Sequence, residues 1–162
     1  MDAVELLITQ HRALENLLEK AVKETSLEKK KALFTQVGDE LTVHITSEEQ
    51  VFYPAVNAAR TEDILLESLE EHLSLKRLLA DLLLLDLSEQ TFEPKFKVLK
   101  EQAEHHHKEE EENLFPKAKK LLDQAQREAL GKEMITLQEQ LKKQGEPREA
   151  VIGETDTAAP LI

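Results

Sequence analysis

Cysteine is absent from the 162 residues. That removes disulfides, thiolate metal sites and thiol redox chemistry together, so any transition metal must be held by histidine and carboxylate. Tryptophan is also absent, tyrosine occurs once, and aromatics make up 4% of the chain. Basic charge is scarce: 21 Lys and Arg stand against 33 Asp and Glu, a net charge of -12. That balance opposes binding to phosphate backbones or anionic lipid, and no basic stripe with interleaved aromatics offsets it, so neither nucleic acid nor membrane is expected as a partner. No long hydrophobic run is present. The most apolar stretch, Leu78 to Leu87, is cut by Asp81 and Asp86, too short and too charged to span a bilayer. The N-terminus is acidic early and lacks the layout of a signal peptide, so cytoplasmic residence is the default expectation.

With only four glycines and five prolines, Leu, Glu, Lys and Ala dominate, a composition that favours helix. Apolar residues recur at helical spacing almost throughout. The first helix is expected over about 2–24, with Thr25 and Glu28 at capping-box spacing after it. The second runs over about 27–53 and meets Pro54, which should kink or restart it. Thr61-Glu62-Asp63 opens the third, to about 87, and Thr91 to Pro94 opens the fourth, which meets Pro116. A fifth amphipathic segment covers 123–144, with Leu130, Met134, Leu137 and Leu141 on one stripe, able to cover the bundle or to pair with another chain. Residues 145–162 contain Gly145, Pro147, Gly153 and Pro160 and few core formers, which predicts a disordered tail.

The chain repeats itself. His44-Ile45-Thr46-Ser47-Glu48-Glu49 precedes Phe52-Tyr53-Pro54, and His106-His107-Lys108-Glu109-Glu110-Glu111 precedes Leu114-Phe115-Pro116, at an offset of 62. A weaker echo links His11 to His72, at an offset of 61. Two helical hairpins of similar plan suit an all-α, up-down-up-down four-helix bundle over 1–122, followed by the additional C-terminal helix 123–144.

The histidines fall inside the apolar stripes. The series are Val4, Leu7, His11, Leu14, Leu18; Leu33, Val37, Leu41, His44, Glu48, Phe52; Leu65, Leu69, His72, Leu75, Leu79; and Phe96, Leu99, Ala103, His106, Glu110, Leu114. Each steps by three or four and marks one helix face. Counted from the turn near residue 26, His11 lies 15 back and His44 lies 18 forward; from the turn near 89, His72 and His106 each lie 17 away. The three-residue mismatch is only ~4.5 Å along a helix, so all six side chains should meet in one layer. A lone histidine on a core face is usually just a hydrogen-bonded core residue, and a His-x3-Glu pair is common on helix surfaces. Here both glutamates sit on the buried stripe, where unpaired carboxylates cost several kcal/mol each. Cations among His11, His44, Glu48, His72, His106 and Glu110 account for the whole set. Six donors suit two ions, and four histidines divide as two per ion.

The flanking residues receive other readings. His105 and His107 lie ~100° to either side of His106 and should point away from the bundle axis. Glu49 and Glu111 repeat in register, so they could support the ligands, but exposed charge is the safer reading. Glu15 sits four after His11 and could face the site, yet its counterpart after His72 is Lys76. Tyr53 is read as packing.

This pattern resembles the hemerythrin-like HHE cation-binding domain family over about residues 2–120. It is carried by a His on the first helix, His-x3-Glu-Glu before Phe-Tyr-Pro, Glu71-His72, and His-x3-Glu-Glu before Leu-Phe-Pro. The resemblance implies two iron ions in a non-haem centre bridged by the two glutamates and by oxo or hydroxo. It also implies a small ligand, dioxygen, nitric oxide or peroxide, and roles in oxygen or redox sensing, nitrosative stress or iron-centre repair. Such a protein is a metal- and gas-binding protein more than a hydrolase or transferase. In the oxygen carriers of the family a further His stands where this chain has Lys76, so a more symmetric centre is expected here. The ferritin-like signature, Glu-x-x-His on two helices, is met only by Glu104 and His107. The remaining alternative is a helical interaction module with a purely structural or storage metal; a closed tetrahedral zinc set is not apparent.

Overall fold

Helix α1, Ala3–Lys23, starts from Asp2, whose carboxylate accepts the Glu5 N–H at 2.9 Å while the Glu5 side chain accepts the Asp2 N–H at 3.1 Å. This reciprocal cap satisfies two N–H groups that the first turn leaves without partners. The computed structural model describes residues 1–162. Helix α2, Leu27–Ser47, is capped by Ser26, whose Oγ accepts the Lys29 N–H at 3.5 Å. The cap falls one residue later than the expected Thr25 box, because the chain stays extended through Ser26. A π-helical turn, Glu48–Phe52, continues α2 into the short helix α3, Tyr53–Ala55. Pro54 lies in the first turn of that restart, where its missing N–H costs little.

Helix α4, Glu62–Leu83, begins after Thr61, whose hydroxyl closes the preceding loop by donating to the Val56 carbonyl instead of capping the helix. Helix α5, Phe92–Glu109, runs through a second π turn, Glu110–Leu114, into α6, Phe115–Leu121. Helix α7, Gln124–Gln144, opens on a second reciprocal cap between Asp123 and Gln126. No helix is long and apolar enough to cross a membrane.

Helices α1, α2, α4 and α5 form an all-α, up-down-up-down bundle; the three residues between α1 and α2 force those two antiparallel. Its interior is two apolar clusters. One gathers Leu14, Leu18, Leu41, Leu75, Leu79, Phe96 and Ala103. The other gathers Leu7, Phe52, Tyr53, Leu65, Leu69, Leu114 and Phe115. On each helix the chain passes from one cluster to the other across a histidine: Leu7, His11, Leu14 on α1 and Leu69, His72, Leu75 on α4. The polar residues therefore form one layer between two greasy halves.

Helix α7 covers the bundle by packing on α1 and α2, with Leu130, Met134 and Gln138 buried. It comes so close to the N-terminus that a Cβ at Gly131 would lie 2.8 Å from the Met1 carbonyl oxygen. The expected disorder of 145–162 does not hold. After Gly145 and Glu146, both at positive φ, a 3-10 segment Pro147–Gly153 packs against α2 and α4 and places Val151 in the core. Charged contacts hold it alongside this apolar burial. Arg148 Nη1 donates to both Asp39 oxygens at 3.1 Å, Lys76 pairs with Glu154 at 2.9 Å, and Arg77 donates to the Thr155 and Asp156 carbonyls. These contacts are long-range in sequence, which is why composition alone reads the tail as unstructured.

Candidate metal centre

The structure brings His11, His44, Glu48, His72, His106 and Glu110 into the layer between the two clusters, all buried. Each histidine is held from behind. The Nδ1 of His11 lies 2.8 Å from Glu111 Oε2, that of His44 lies 2.9 Å from Gln10 Oε1, that of His72 lies 2.9 Å from Glu49 Oε2, and that of His106 lies 3.0 Å from Glu71 Oε1. These oxygens only accept, so each Nδ1 carries the proton and each Nε2 presents a lone pair inward. Glu49 and Glu111 are thus supports of the histidines, not free surface charge. Gln10 is supported in turn: Gln138 of α7 donates to Gln10 Oε1 at 3.1 Å and to Ser47 Oγ at 2.9 Å.

The two glutamates stand between the hairpins. Glu48 Oε1 is 3.4 Å from His44 Nε2 and 3.2 Å from His72 Nε2. Glu110 Oε1 is 3.2 Å from His11 Nε2 and 3.4 Å from His106 Nε2. His72 and His106 bring their Nε2 atoms to 3.1 Å of each other. The donors form a set of His11, His44, Glu48 and Glu110, and a second of Glu48, His72 and His106, the atoms of each within 4.8 Å of one another. Glu48 belongs to both.

The donor chemistry fits cations. His11 Nε2, His44 Nε2, Glu48 Oε2 and Glu110 Oε1 are buried with no hydrogen-bond partner, and such orphaned groups are costly unless something else satisfies them. The electrostatics agree. Burial pushes Glu48 well above the usual carboxylate range, and the charge of Glu110 pushes it further. Burial raises Glu110 as well, but His106 and His11 outweigh it and hold Glu110 well below that range. Burial lowers His44 well below the ordinary imidazole value and lowers His72 less. Burial also opposes the charged form of His106, yet Glu110 and Glu71 raise it. Two carboxylates and four imidazoles in one dry layer thus split their protons; cations would replace that arrangement.

Two residues that sequence reasoning set aside belong to the site. Tyr53 donates its hydroxyl to Glu110 Oε2 at 2.7 Å, lies 3.2 Å from His72 Nε2, and stacks on the His72 ring. His107, expected to point away, is buried and stacked on His11, with ring centroids 3.9 Å apart. The inward arc of α5 is wider than a single stripe, because α1 packs on it as well as α4. Burial pushes His107 down to about 4. His105 is exposed, as expected. Glu15 approaches the site only through His107, 3.9 Å away, and pairs with Arg12. Lys76 is buried and divides itself between Glu49 Oε1 and Glu154 Oε1, each at 2.9 Å. The surroundings of the two halves differ: the Tyr53 phenol flanks the His72 side and the His107 imidazole the His11 side.

A helical bundle with a buried, histidine-rich layer of converging donors defines a cation-binding domain. The chain belongs to the hemerythrin HHE cation-binding domain family, whose model matches residues 2–118. Among solved structures it is similar to a hemerythrin HHE cation-binding domain-containing protein from Mycobacterium kansasii. That likeness has 26% identity and a TM-score of 0.80, over 94% of this chain and 98% of the other. A search of curated proteins gave no match.

Proposed function

We propose that this chain is a non-haem di-iron protein that binds a small ligand, dioxygen, nitric oxide or peroxide, in the cytoplasm, for oxygen or redox sensing, nitrosative stress or iron-centre repair. The observation that carries the reading is the pair of donor sets sharing Glu48, with four inward Nε2 atoms fixed by acceptors behind them. The four histidines and two glutamates would hold the ions, His11 with His44 and His72 with His106. When bound, an iron pair supplies redox chemistry and coordination positions open to a small molecule.

The protein's own part is positioning and exclusion. Glu111, Gln10, Glu49 and Glu71 fix the imidazole tautomers and planes, which preserves the donor geometry and raises ligand basicity. Glu48 and Glu110, each reaching a histidine of both hairpins, tie the two halves together. Tyr53 keeps its phenolic proton and donates it as a hydrogen bond to Glu110 Oε2, the oxygen turned from His11 and His106. Leu14, Leu41, Leu75 and Ala103 on one side and Leu7, Leu69 and Leu114 on the other keep bulk water out and favour small neutral molecules. A cavity of about 320 Å³ between α1 and α2, lined by Leu14, Leu17 and Val43 together with Lys20 and Glu40, has Gln10 and His44 in its wall.

The test is metal analysis of the purified protein, then addition of nitric oxide or dioxygen to the anaerobic, reduced, iron-loaded form. Two irons per chain and changed optical and Mössbauer spectra are expected. One tightly held zinc, or spectra unchanged by both gases, would leave a structural or storage metal as the better reading.

A further inference from the structure

We propose that His107 is a fifth histidine donor to the centre, and that the half built by His11 and His44 takes its ion on three imidazoles. The inference rests on the reading that the layer holds a metal pair. It goes beyond the four-histidine set, and no repeat of the motif demands it.

Four observations point the same way. His107 is 1% exposed, and its Nδ1 is buried without a hydrogen-bond partner. The nearest carboxylate oxygen, Glu15 Oε1, stands 3.9 Å away, outside hydrogen-bond reach. A donor atom of His107 lies within 4.8 Å of donor atoms of both His11 and His44. Two nitrogens bound to one ion at about 2.1 Å stand about 3–4 Å apart, so this spacing lies within the reach of shared coordination after small rotamer adjustments. Finally, the repeat that relates His106 to His44 relates His107 to Ile45, which is buried in the apolar core. Packing alone asks for a residue like isoleucine at this place in the fold, and the chain instead spends a buried imidazole there.

The manner of support differs as well. The other four rings are steered by an acceptor behind Nδ1, whereas His107 is held flat against His11, with 8° between the planes and 3.9 Å between centroids. The stack fixes the ring plane without committing a nitrogen, so either nitrogen stays free for a cation. Across the centre, the position of this imidazole has no equivalent: the His72 and His106 half has the Tyr53 hydroxyl beside it. The two ions would then sit in unlike surroundings, three imidazoles against two with a neighbouring phenol. A site rich in imidazole suits ferrous and other divalent transition ions over magnesium or calcium.

The experiment is anaerobic titration of the metal-stripped full chain with ferrous ion and, separately, with cobalt(II), whose visible bands report the number and type of donors. Wild type is compared with His107→Phe, which keeps an aromatic ring against His11 but offers no donor, and with His107→Gln and the exposed control His105→Ala. Wild type and His105→Ala should take two equivalents. Both His107 variants should bind one of the two at least tenfold more weakly, and the cobalt bands and the Mössbauer doublet of one iron, not both, should change. Metal-free His107→Phe should melt no lower than wild type, because an unpaired buried imidazole is lost while the ring stack on His11 is kept. Two equivalents bound with unchanged affinity and spectra in His107→Phe and His107→Gln would overturn the inference while leaving the metal pair standing. No uptake by wild type would overturn both.

Discussion

Replacing Glu49 by alanine separates support of a metal ligand from support of the fold. Glu49 holds two groups with its two oxygens: His72 Nδ1 through Oε2 and Lys76 Nζ through Oε1, each at 2.9 Å. Burial raises the Glu49 carboxyl, but the His72 hydrogen bond and the Lys76 charge outweigh it, so the group is ionised at neutral pH. Removing it leaves a buried ammonium with Glu154 as its remaining ion partner. Breaking one side of a buried pair costs about 3–5 kcal/mol, and the surviving partner puts the expectation near the lower value, about 3 kcal/mol. In a domain of this size that lowers Tm by roughly 6–12 °C. The same change frees the back of the His72 ring, and loss of such a support typically weakens metal binding about 10–100-fold.

The double variant Glu49→Ala with Lys76→Met distinguishes the two effects. Without the ammonium there is no stranded charge, so thermal unfolding of the metal-free double variant should return most of the way to wild type. Its iron affinity should stay as low as that of Glu49→Ala. Calorimetry and anaerobic iron titration on the four proteins of this cycle read both quantities. Affinity restored together with stability would show that Glu49 acts only through Lys76. A Glu49→Ala protein unchanged in both would refute the geometry of the His72–Glu49–Lys76 chain.

Three further outcomes follow from the centre. Because metal binds the folded layer and not the unfolded chain, iron at 1,000 times its Kd should add about 4 kcal/mol and raise Tm by roughly 8–16 °C; equal melting with and without chelator would contradict this. His106→Ala should lose iron while His105→Ala keeps it, since one ring lies in the layer and the other is exposed; elemental analysis of the two purified variants decides. For pH, the folded value of His107 lies below its unfolded value, falling from 6.5 to about 4. Its contribution is therefore complete above pH 6.5 and lost as pH falls from 6.5 toward 4, and 2.5 units amount to about 3 kcal/mol. His44 shifts the same way, whereas His106 shifts oppositely. Acid unfolding of metal-free His107→Phe should be shallower than wild type across that window, and an identical curve would show that His107 is not buried neutral.

The bundle and the meeting of six donors were legible because they depend on the 3.6-residue period and on the distance of each donor from its turn. His11 and His72 sit where Leu would continue a stripe, and their distances from the two turns place them at one height. What escaped was set by angles and by partners distant in sequence. Glu49, Glu71 and Glu111 look like the solvated glutamates around them; only the register of Glu49 with Glu111 hinted otherwise. Gln10 acquires its role from Gln138, 128 residues away. The tail carries a single core residue, Val151, and is fixed by Arg148 and Glu154 finding charges on α2 and α4, which no local pattern announces.

Tyr53 and Phe115 escaped for a sharper reason, and it joins the two prolines to the site. Each π turn begins at a glutamate of the centre and closes with an i to i+5 bond: Tyr53 N–H to the Glu48 carbonyl, and Phe115 N–H to the Glu110 carbonyl. The next residue in each case is proline, which cannot donate to the Gln50 or Glu112 carbonyl and whose ring would crowd it. Widening the turn before the proline moves that carbonyl aside and keeps the chain helical. The extra residue shifts the phase of everything after it by about 100°. A strict helical count carries the stripe from Glu48 to Phe52 and leaves Tyr53 to one side. With the widened turn, Phe52 and Tyr53 are both fully buried, and Tyr53 turns over the His72 ring. By the same step Phe115 comes to lie over His11, centroids 5.7 Å apart. The offset of 62 makes Tyr53 and Phe115 equivalent, so the repeat delivers the same ring to both halves and the sequence puts a hydroxyl on only one. The prolines, where the sequence reading expects a kink or restart, thus each follow the widened turn whose register puts a hydrogen-bond donor against Glu110 in one half and a plain apolar wall against His11 in the other.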